Sequence, residues 1–193
     1  MKQAEKNRKS RDYILTHAFA AFAANGYAGS SLNGICAAGG ISKGLLYHYY
    51  DGKDALYLAC VGRLFADLTA HLRAQVDAET VTPATYFAAR LRFFQSNPQH
   101  QRLFYDVRAY PPPHLAGGLQ QARAEFDRLS DDLVRAVLSR QMLAPGLAPA
   151  DAMRQFRAFV DFFGVYLRDG APDATEQQAE ALLHTLLYGL VAQ

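Results

Sequence analysis

Only two cysteines occur in the 193 residues, Cys36 and Cys60, and no CxxC spacing joins them, so the sequence offers neither a disulfide framework nor a cysteine-based metal knuckle. Both sit in apolar helical patterns and are expected as small buried hydrophobes. No segment reaches the roughly 18 uninterrupted apolar residues of a membrane span, and the charged start Met1-Lys2-Gln3-Ala4-Glu5-Lys6 lacks the apolar stretch of a secretory signal. A cytoplasmic protein with no membrane partner is the expectation. His17, His48, His71, His100, His114 and His184 lack HxxxH or HxH spacing, which argues against a metal sensor. A Gly-rich phosphate loop, a GxSxG elbow and a paired-carboxylate signature are also missing, so no enzymatic activity, cofactor or metal is expected. Internal repeats and low-complexity tracts are absent too.

Apolar residues, by contrast, make up 50% of the chain and aromatics 12%, ample for a packed core. The net charge of +2 is unevenly spread. Residues 1–50 hold six basic side chains (Lys2, Lys6, Arg8, Lys9, Arg11, Lys43) against Glu5 and Asp12, a balance of +4 that leaves −2 on the remainder. A positive end suits phosphate contacts, although many solvated helices also begin with basic residues.

Helical periodicity dominates, and no run alternates long enough to make a strand. The fold class is therefore all-α, with about nine helices. The first is expected from Arg8 to Asn25, where Ile14, Leu15, Ala18, Phe19, Phe22 and Ala23 share a face and Asn25-Gly26 supplies the stop. Ser30-Ser31 then caps a short helix from Leu32 that halts at Gly39-Gly40, and Ser42 caps another, Lys43 to Tyr50. Asp51-Gly52 breaks before a long helix from Lys53 to about Ala78. Further helices are predicted at Pro83–Gln95, Pro98–Ala109, Ala116–Met142, Pro149–Arg168 and Thr175–Val191, with a linker at Pro111-Pro112-Pro113.

Residues 30–50 carry the most informative pattern. Two capped short helices flank a glycine turn and an inserted Ile41, the arrangement in which one helix crosses the DNA backbone and the next enters the major groove. Leu46 and Tyr50, four apart, would face the core with Ile41. That leaves Lys43, Gly44, Leu45, Tyr47, His48 and Tyr49 outward or lateral. Tyr47 and Tyr49 offer hydroxyls to phosphate, Lys43 reaches phosphate or a guanine edge, Gly44 permits close backbone approach, and Leu45 suits a thymine methyl. Ser31, Asn33 and Lys53 would flank the groove. The same spacing also suits a plain helical hairpin whose tyrosines pack on a neighbour.

The stretch Phe22-Ala23-Ala24-Asn25-Gly26-Tyr27, Ser30-Ser31-Leu32, Ile35-Cys36-Ala37-Ala38-Gly39-Gly40-Ile41-Ser42-Lys43-Gly44-Leu45-Leu46-Tyr47-His48-Tyr49-Tyr50 and Lys53-Asp54-Ala55-Leu56 closely resembles the TetR family of bacterial transcriptional repressors over about residues 10–60. The resemblance implies a homodimer with an N-terminal helix-turn-helix DNA-binding part, residues 1–54, and a larger ligand-binding and dimerisation part, residues 55–193. By motif position it places Ser42, Lys43, Gly44 and Leu45 at base edges, Tyr47, Tyr49 and Lys53 at phosphates, and Asn33 at either. Gly40 and the pair Asp51-Gly52 depart from the usual pattern, and Asp51 would be unfavourable near phosphate unless it points away or caps the next helix.

For the C-terminal part, Tyr86, Phe87, Phe93, Phe94, Phe104, Tyr105, Tyr110, Phe126, Phe156, Phe159, Phe162, Phe163 and Tyr166 supply many rings between helices. Such rings are core residues and also frame apolar small-molecule sites. The candidate ligand set is Phe94, His100, Phe104, Tyr105, Arg108, Tyr110, Phe126, Phe159, Asp161, Phe162 and Tyr166. Arg108 would suit an anion and Asp161 a cation, unless each pairs with another side chain. The expected ligand is an aromatic or amphipathic organic molecule. Broad apolar faces on the last two helices, including Phe156, Phe163, Leu167, Leu183, Leu186, Leu187 and Leu190, suggest a four-helix dimer interface or the closing of the monomer core. A ligand-responsive repressor is the leading expectation; a helical carrier protein, a small helical enzyme or an architectural DNA binder without inducer are the rivals.

Overall fold

The computed structural model describes residues 2–170, Ala181 and His184, with side chains described for 4–161 and for those two. Among the described residues there are eight α-helices and one 3-10 turn, and no strand. They are α1 (Lys2–Gly29), α2 (Leu32–Gly39), α3 (Lys43–Tyr49), α4 (Gly52–Gln75), α5 (Pro83–Ser96), α6 (Pro98–Ala109), α7 (Ala116–Leu138) and α8 (Pro149–Gly170), with the 3-10 turn at Pro113–Leu115. The expected last helix, Thr175–Val191, lies outside the described residues except for Ala181 and His184, which are helical and exposed.

Several boundaries differ from the sequence expectation for visible reasons. α1 begins six residues earlier and continues past Gly26, which leaves helical geometry at φ 67°, ψ 179°, a conformation open to glycine. Ser30 does not cap α2. It turns back, and its hydroxyl donates to the carbonyls of Gly26 (2.8 Å) and Ala21 (3.1 Å) near the kink. α4 ends at Gln75, ahead of a turn in which Asp77 accepts from the Glu79 amide at 2.9 Å. α7 stops at Leu138, and Arg140 beyond it donates to the carbonyls of Val81 (2.9 Å), Ala78 (3.1 Å) and Glu79.

The chain forms two compact units, one built from residues up to Ala66 with Asn97–Ala124, the other from Asp67–Ser96 with residues from Glu125 onward. The core of the first holds Ile14, Ala18 and Phe22 from α1, Ile35 from α2, Leu46 from α3, Leu56, Tyr57, Val61 and Leu64 from α4, and Leu103 and Phe104 from α6. By length and composition α4 could cross a bilayer, yet half of its most apolar stretch is buried inside this fold.

In the second unit, Tyr86, Phe87, Phe93 and Phe94 of α5 are buried with Phe126, Leu133, Val134 and Val137 of α7 and Phe156 and Val160 of α8. Tyr86 stacks with Phe156 at 6.2 Å between ring centroids. This core also contains an ion pair, Arg90 to Asp161 at 2.8 Å, with both side chains at most 10% exposed. The Tyr86 and Ser130 hydroxyls meet at 2.9 Å beside it, and the Arg90 guanidinium lies over the Phe126 ring at 5.6 Å. Buried charges persist only when paired and hydrogen-bonded, and Asp161 meets that condition through a partner 71 residues away.

Candidate nucleic-acid interface

The short helices are held by their ends. Ser31 Oγ accepts from the Gly34 amide at 3.1 Å and Ser42 Oγ from the Leu45 amide at 3.2 Å, so each helix starts on a serine cap worth about 1 kcal/mol. α2 ends in a left-handed Gly40 (φ 58°); the Ile41 amide donates to the Cys36 carbonyl at 2.9 Å and the Gly40 amide to Ala37 at 3.4 Å. This Schellman arrangement reverses the chain in two residues and delivers Ile41 to the core, 6% exposed. Gly39 has a spatial role: a methyl group there would lie 2.7 Å from Ile41 Cδ1 and 2.9 Å from the His17 ring. Its carbonyl also accepts from the Tyr13 hydroxyl at 2.9 Å, fastening α2 to α1.

Beneath α3, Leu46 is fully buried and Tyr50 is 4% exposed, with the Arg11 guanidinium 5.7 Å from the Tyr50 ring centre. On its other side Lys43, Gly44, Leu45 and His48 are exposed, and Tyr47 is 58% exposed. Burying one leucine contributes roughly 1.5–3 kcal/mol, so Leu46 fixes which face of a two-turn helix turns outward. Ser31, Asn33 and Ser42 are exposed, as is Asp51. Tyr49 is half-buried, and its hydroxyl donates to Asn7 Oδ1 at 3.3 Å, which brings the basic first turns of α1 alongside α3. Lys6, Arg8, Lys9 and Arg11 on those turns are exposed, Lys9 pairing with Glu5 at 3.0 Å. Sequence reasoning counted their charge without assigning them to the interface, because their helical turns carry no apolar periodicity.

Lys53 is half-buried, its ammonium 4.2 Å from the centre of the Tyr27 ring. The Tyr27 hydroxyl donates to Asp54 and lies 3.1 Å from His114 Nε2. That bond holds the Asp54 carboxyl below its ordinary range and raises the Tyr27 phenol. Lys53 is thus steered by an aromatic partner, a contact no local pattern announces.

The candidate ligand residues divide between the two units. His100, Phe104, Tyr105, Arg108 and Tyr110 belong to the first, on or just after α6. Phe104 is fully buried there and Tyr105 is 6% exposed, whereas Tyr110 is 80% exposed. Phe94, Phe126, Phe159 and Asp161 belong to the second. Phe159 is half-buried and stacks with Phe87, and Asp161 is engaged by Arg90. The side chains of Phe162, Phe163, Tyr166 and Leu167, and the residues Leu183, Leu186, Leu187 and Leu190, lie outside the described set. Phe156, expected at a dimer interface, has no exposed surface in the single chain because it packs on Tyr86; it is a core residue. Both cysteines are buried thiols, and burial pushes Cys60 well above its ordinary pKa.

Residues 14–60 match the model of a family described as bacterial regulatory proteins, tetR family. The chain is 28% identical over 153 residues to the HTH-type transcriptional activator FasR of Mycolicibacterium smegmatis, a match covering 73% of this chain and 70% of FasR. Its fold resembles FadR from Bacillus subtilis, solved in complex with stearoyl-CoA, with TM-score 0.74 and 14% identity over 93% of this chain and 98% of that one. It also resembles the TetR family regulator PfmR from Thermus thermophilus, with TM-score 0.70 and 23% identity over 95% of this chain and 98% of that one. The family model thus spans the capped helix pair from Ile14 to Cys60, and the fold of the chain is similar to those of FadR and PfmR.

Proposed function

We propose that this regulator binds a near-palindromic operator as a homodimer and that an amphipathic acyl ligand, an acyl-CoA thioester or its fatty acid, releases it. Residues 1–54 act as the DNA-binding part and residues 55–193 as the ligand-binding and dimerisation part. α3 enters the major groove of each half-site, the two copies about 34–36 Å apart. Ser42, Lys43, Gly44 and Leu45 read base edges, Tyr47, Tyr49 and Lys53 hold phosphates, and Ser31, Asn33 and His48 line the groove walls. The observation that carries this reading is the split of α3 into a buried Leu46 and an outward face with Tyr47 58% exposed. An aromatic surface of that kind has little use in water and a direct one on a duplex.

The ligand class is supported by the large apolar rings inside the second unit and by the stearoyl-CoA bound to FadR. Release requires that the ligand favour a state whose two α3 helices no longer fit successive grooves. FasR is named an activator, so occupancy of the operator and the sign of its effect on transcription are separate measurements. The reading is of a binding protein and not an enzyme.

The test is selection of bound duplexes from a random pool, followed by titration of the selected operator. Affinity should fall steeply with salt, and Lys53→Ala, which removes one phosphate contact from each half-site, should reduce the salt slope by about 2. Stearoyl-CoA and shorter acyl-CoAs are then added to the complex. Indifference to every duplex at low ionic strength refutes the DNA reading; a complex that survives all acyl-CoAs refutes the ligand class alone.

A further inference from the structure

Lys53, assigned above to a phosphate, stands in the chain between two carboxylates, Asp51 and Asp54. Either of them attracts an ammonium and repels a phosphate, so the sequence neighbours of Lys53 work against its contact with a duplex. What holds the side chain comes from elsewhere in the first unit. Gly26 leaves helical geometry just before Tyr27, and the Tyr27 ring meets the buried Tyr57 of α4 edge to face, 5.0 Å between centroids at 66°. The Lys53 ammonium lies 4.2 Å from the centre of that same ring, well within the distance at which an aromatic face attracts a cation.

The rest of the cluster occupies Asp54. The Tyr27 hydroxyl donates to Asp54 Oδ1, and His114 Nε2, from the turn ahead of α7, lies 3.4 Å from Asp54 Oδ2 and 3.1 Å from the Tyr27 oxygen. Both carboxylate oxygens are therefore engaged by groups other than Lys53. One phenol thus acts at both ends: its face holds the ammonium, and its hydroxyl holds the carboxylate that would otherwise neutralise it. An ammonium has three donors, and a ring face beside it leaves donors for a phosphate oxygen.

We propose that Tyr27, braced by His114, is a positioning residue for DNA binding, acting through Lys53 by presenting its ammonium to phosphate and keeping Asp54 from it. This rests on the DNA reading above, and the variants below separate the two.

Affinity and its salt dependence are measured on the selected operator for wild type, Lys53→Ala, Tyr27→Leu and the double variant, with melting temperature as the check on folding. Tyr27→Leu keeps apolar bulk against Tyr57 and removes the ring face. It should lower affinity about five- to thirtyfold, because two copies of the contact are lost per dimer, and by less than about twofold when residue 53 is already alanine. Tyr27→Phe keeps the ring and releases Asp54, so Asp54→Asn should raise affinity more in that background than in wild type; this arm decides should Tyr27→Leu prove unfolded. A readout without DNA uses the intact protein with its lysines dimethylated with carbon-13. The Lys53 methyl signal, identified by its loss in Lys53→Ala, should lie upfield through the ring current, stay there in Tyr27→Phe and move back in Tyr27→Leu. Equal losses from Tyr27→Leu in both backgrounds, equal gains from Asp54→Asn in both, or a Lys53 signal indifferent to Tyr27→Leu overturns the inference. A Lys53→Ala protein with unchanged affinity and salt slope refutes the phosphate assignment and the inference with it. Loss in Lys53→Ala beside none in Tyr27→Leu refutes the inference alone.

Discussion

Gly44 stands in the first turn of α3, just after Ser42 and Lys43, and a methyl group placed on it would meet nothing within 4 Å. Its backbone is helical and its surface is exposed, so for the free protein alanine is the better residue. Glycine inside a helix costs roughly 0.5–1 kcal/mol relative to alanine, and the first turn takes the lower end of that range. For a chain of this length, about 0.5 kcal/mol raises the melting temperature by about 1–2 °C. Against operator DNA the same methyl group occupies the space through which the backbone of α3 would approach the groove, once in each subunit. A loss of tenfold or more in affinity, about 1.4 kcal/mol, is expected. Thermal unfolding and fluorescence anisotropy on the selected operator measure the two quantities in one preparation. The expected outcome is a pair of opposite changes, melting temperature up and DNA affinity down. A stabilised Gly44→Ala protein that binds operator as well as wild type would refute the placement of α3 against DNA.

The packing makes other outcomes specific. Gly39→Ala should destabilise the fold by about 1–3 kcal/mol, because the added carbon sits under 3.0 Å from both Ile41 and His17 and α2 must move off α1; urea unfolding reads this, and an unchanged midpoint counts against the close approach. Asp161→Leu removes one member of the buried pair with Arg90 and should cost roughly 3–5 kcal/mol in the same assay, whereas loss below about 1 kcal/mol would mean the pair is not formed in solution. Asp106 is pushed up in pKa by burial, opposed by hydrogen bonds from the Tyr57 hydroxyl, at 3.3 Å, and the Tyr27 amide. The folded state therefore holds this proton more tightly than the unfolded chain, and Asp106 withdraws stability as pH rises from the ordinary aspartate value upward. Asp106→Asn, which keeps an acceptor for Tyr57, should gain in melting temperature relative to wild type between about pH 4 and 6, and a constant difference across that range would contradict the assignment.

Helix ends marked by local chemistry were legible in the sequence. Pro98 opens α6 and Ala109 closes it as expected, and Thr82 caps α5, its hydroxyl accepting from the Thr85 amide at 3.1 Å ahead of Pro83. The helix pair at residues 31–50 was equally clear, since Ser31, Gly40 and Ser42 act on neighbours within a turn. Contacts that join distant residues were not. Arg90 gave no reason to be singled out until the fold placed it on Asp161, and Tyr27 none until it lay between Lys53, Asp54 and His114. The aromatic residues between Tyr86 and Tyr166 were read as one population. The structure divides those it describes between two units, because helical periodicity says which face is apolar and not what it will meet.

α3 has seven residues, far below the dozen or so that an isolated helix needs to persist in water. Its shape is therefore borrowed. Leu46 anchors it in a core made with α1, α2 and α4, Ser42 and Gly40 fix its entry, and Tyr50 and Gly52 its exit, where the Gly52 amide donates to the Tyr50 carbonyl at 3.0 Å. A helix built this way has no conformation of its own to change, so the ligand proposed above would have two routes to it: displacing α3 as a rigid piece, or loosening the core that shapes it. The first leaves the affinity of one α3 for one half-site intact and alters only the fit of two at once; the second weakens even a single half-site. Measuring ligand-dependent release on operators cut to one half-site separates these routes. The dense burial around Leu46, with Ile14, Ile35 and Ile41 all at most 6% exposed, favours the first.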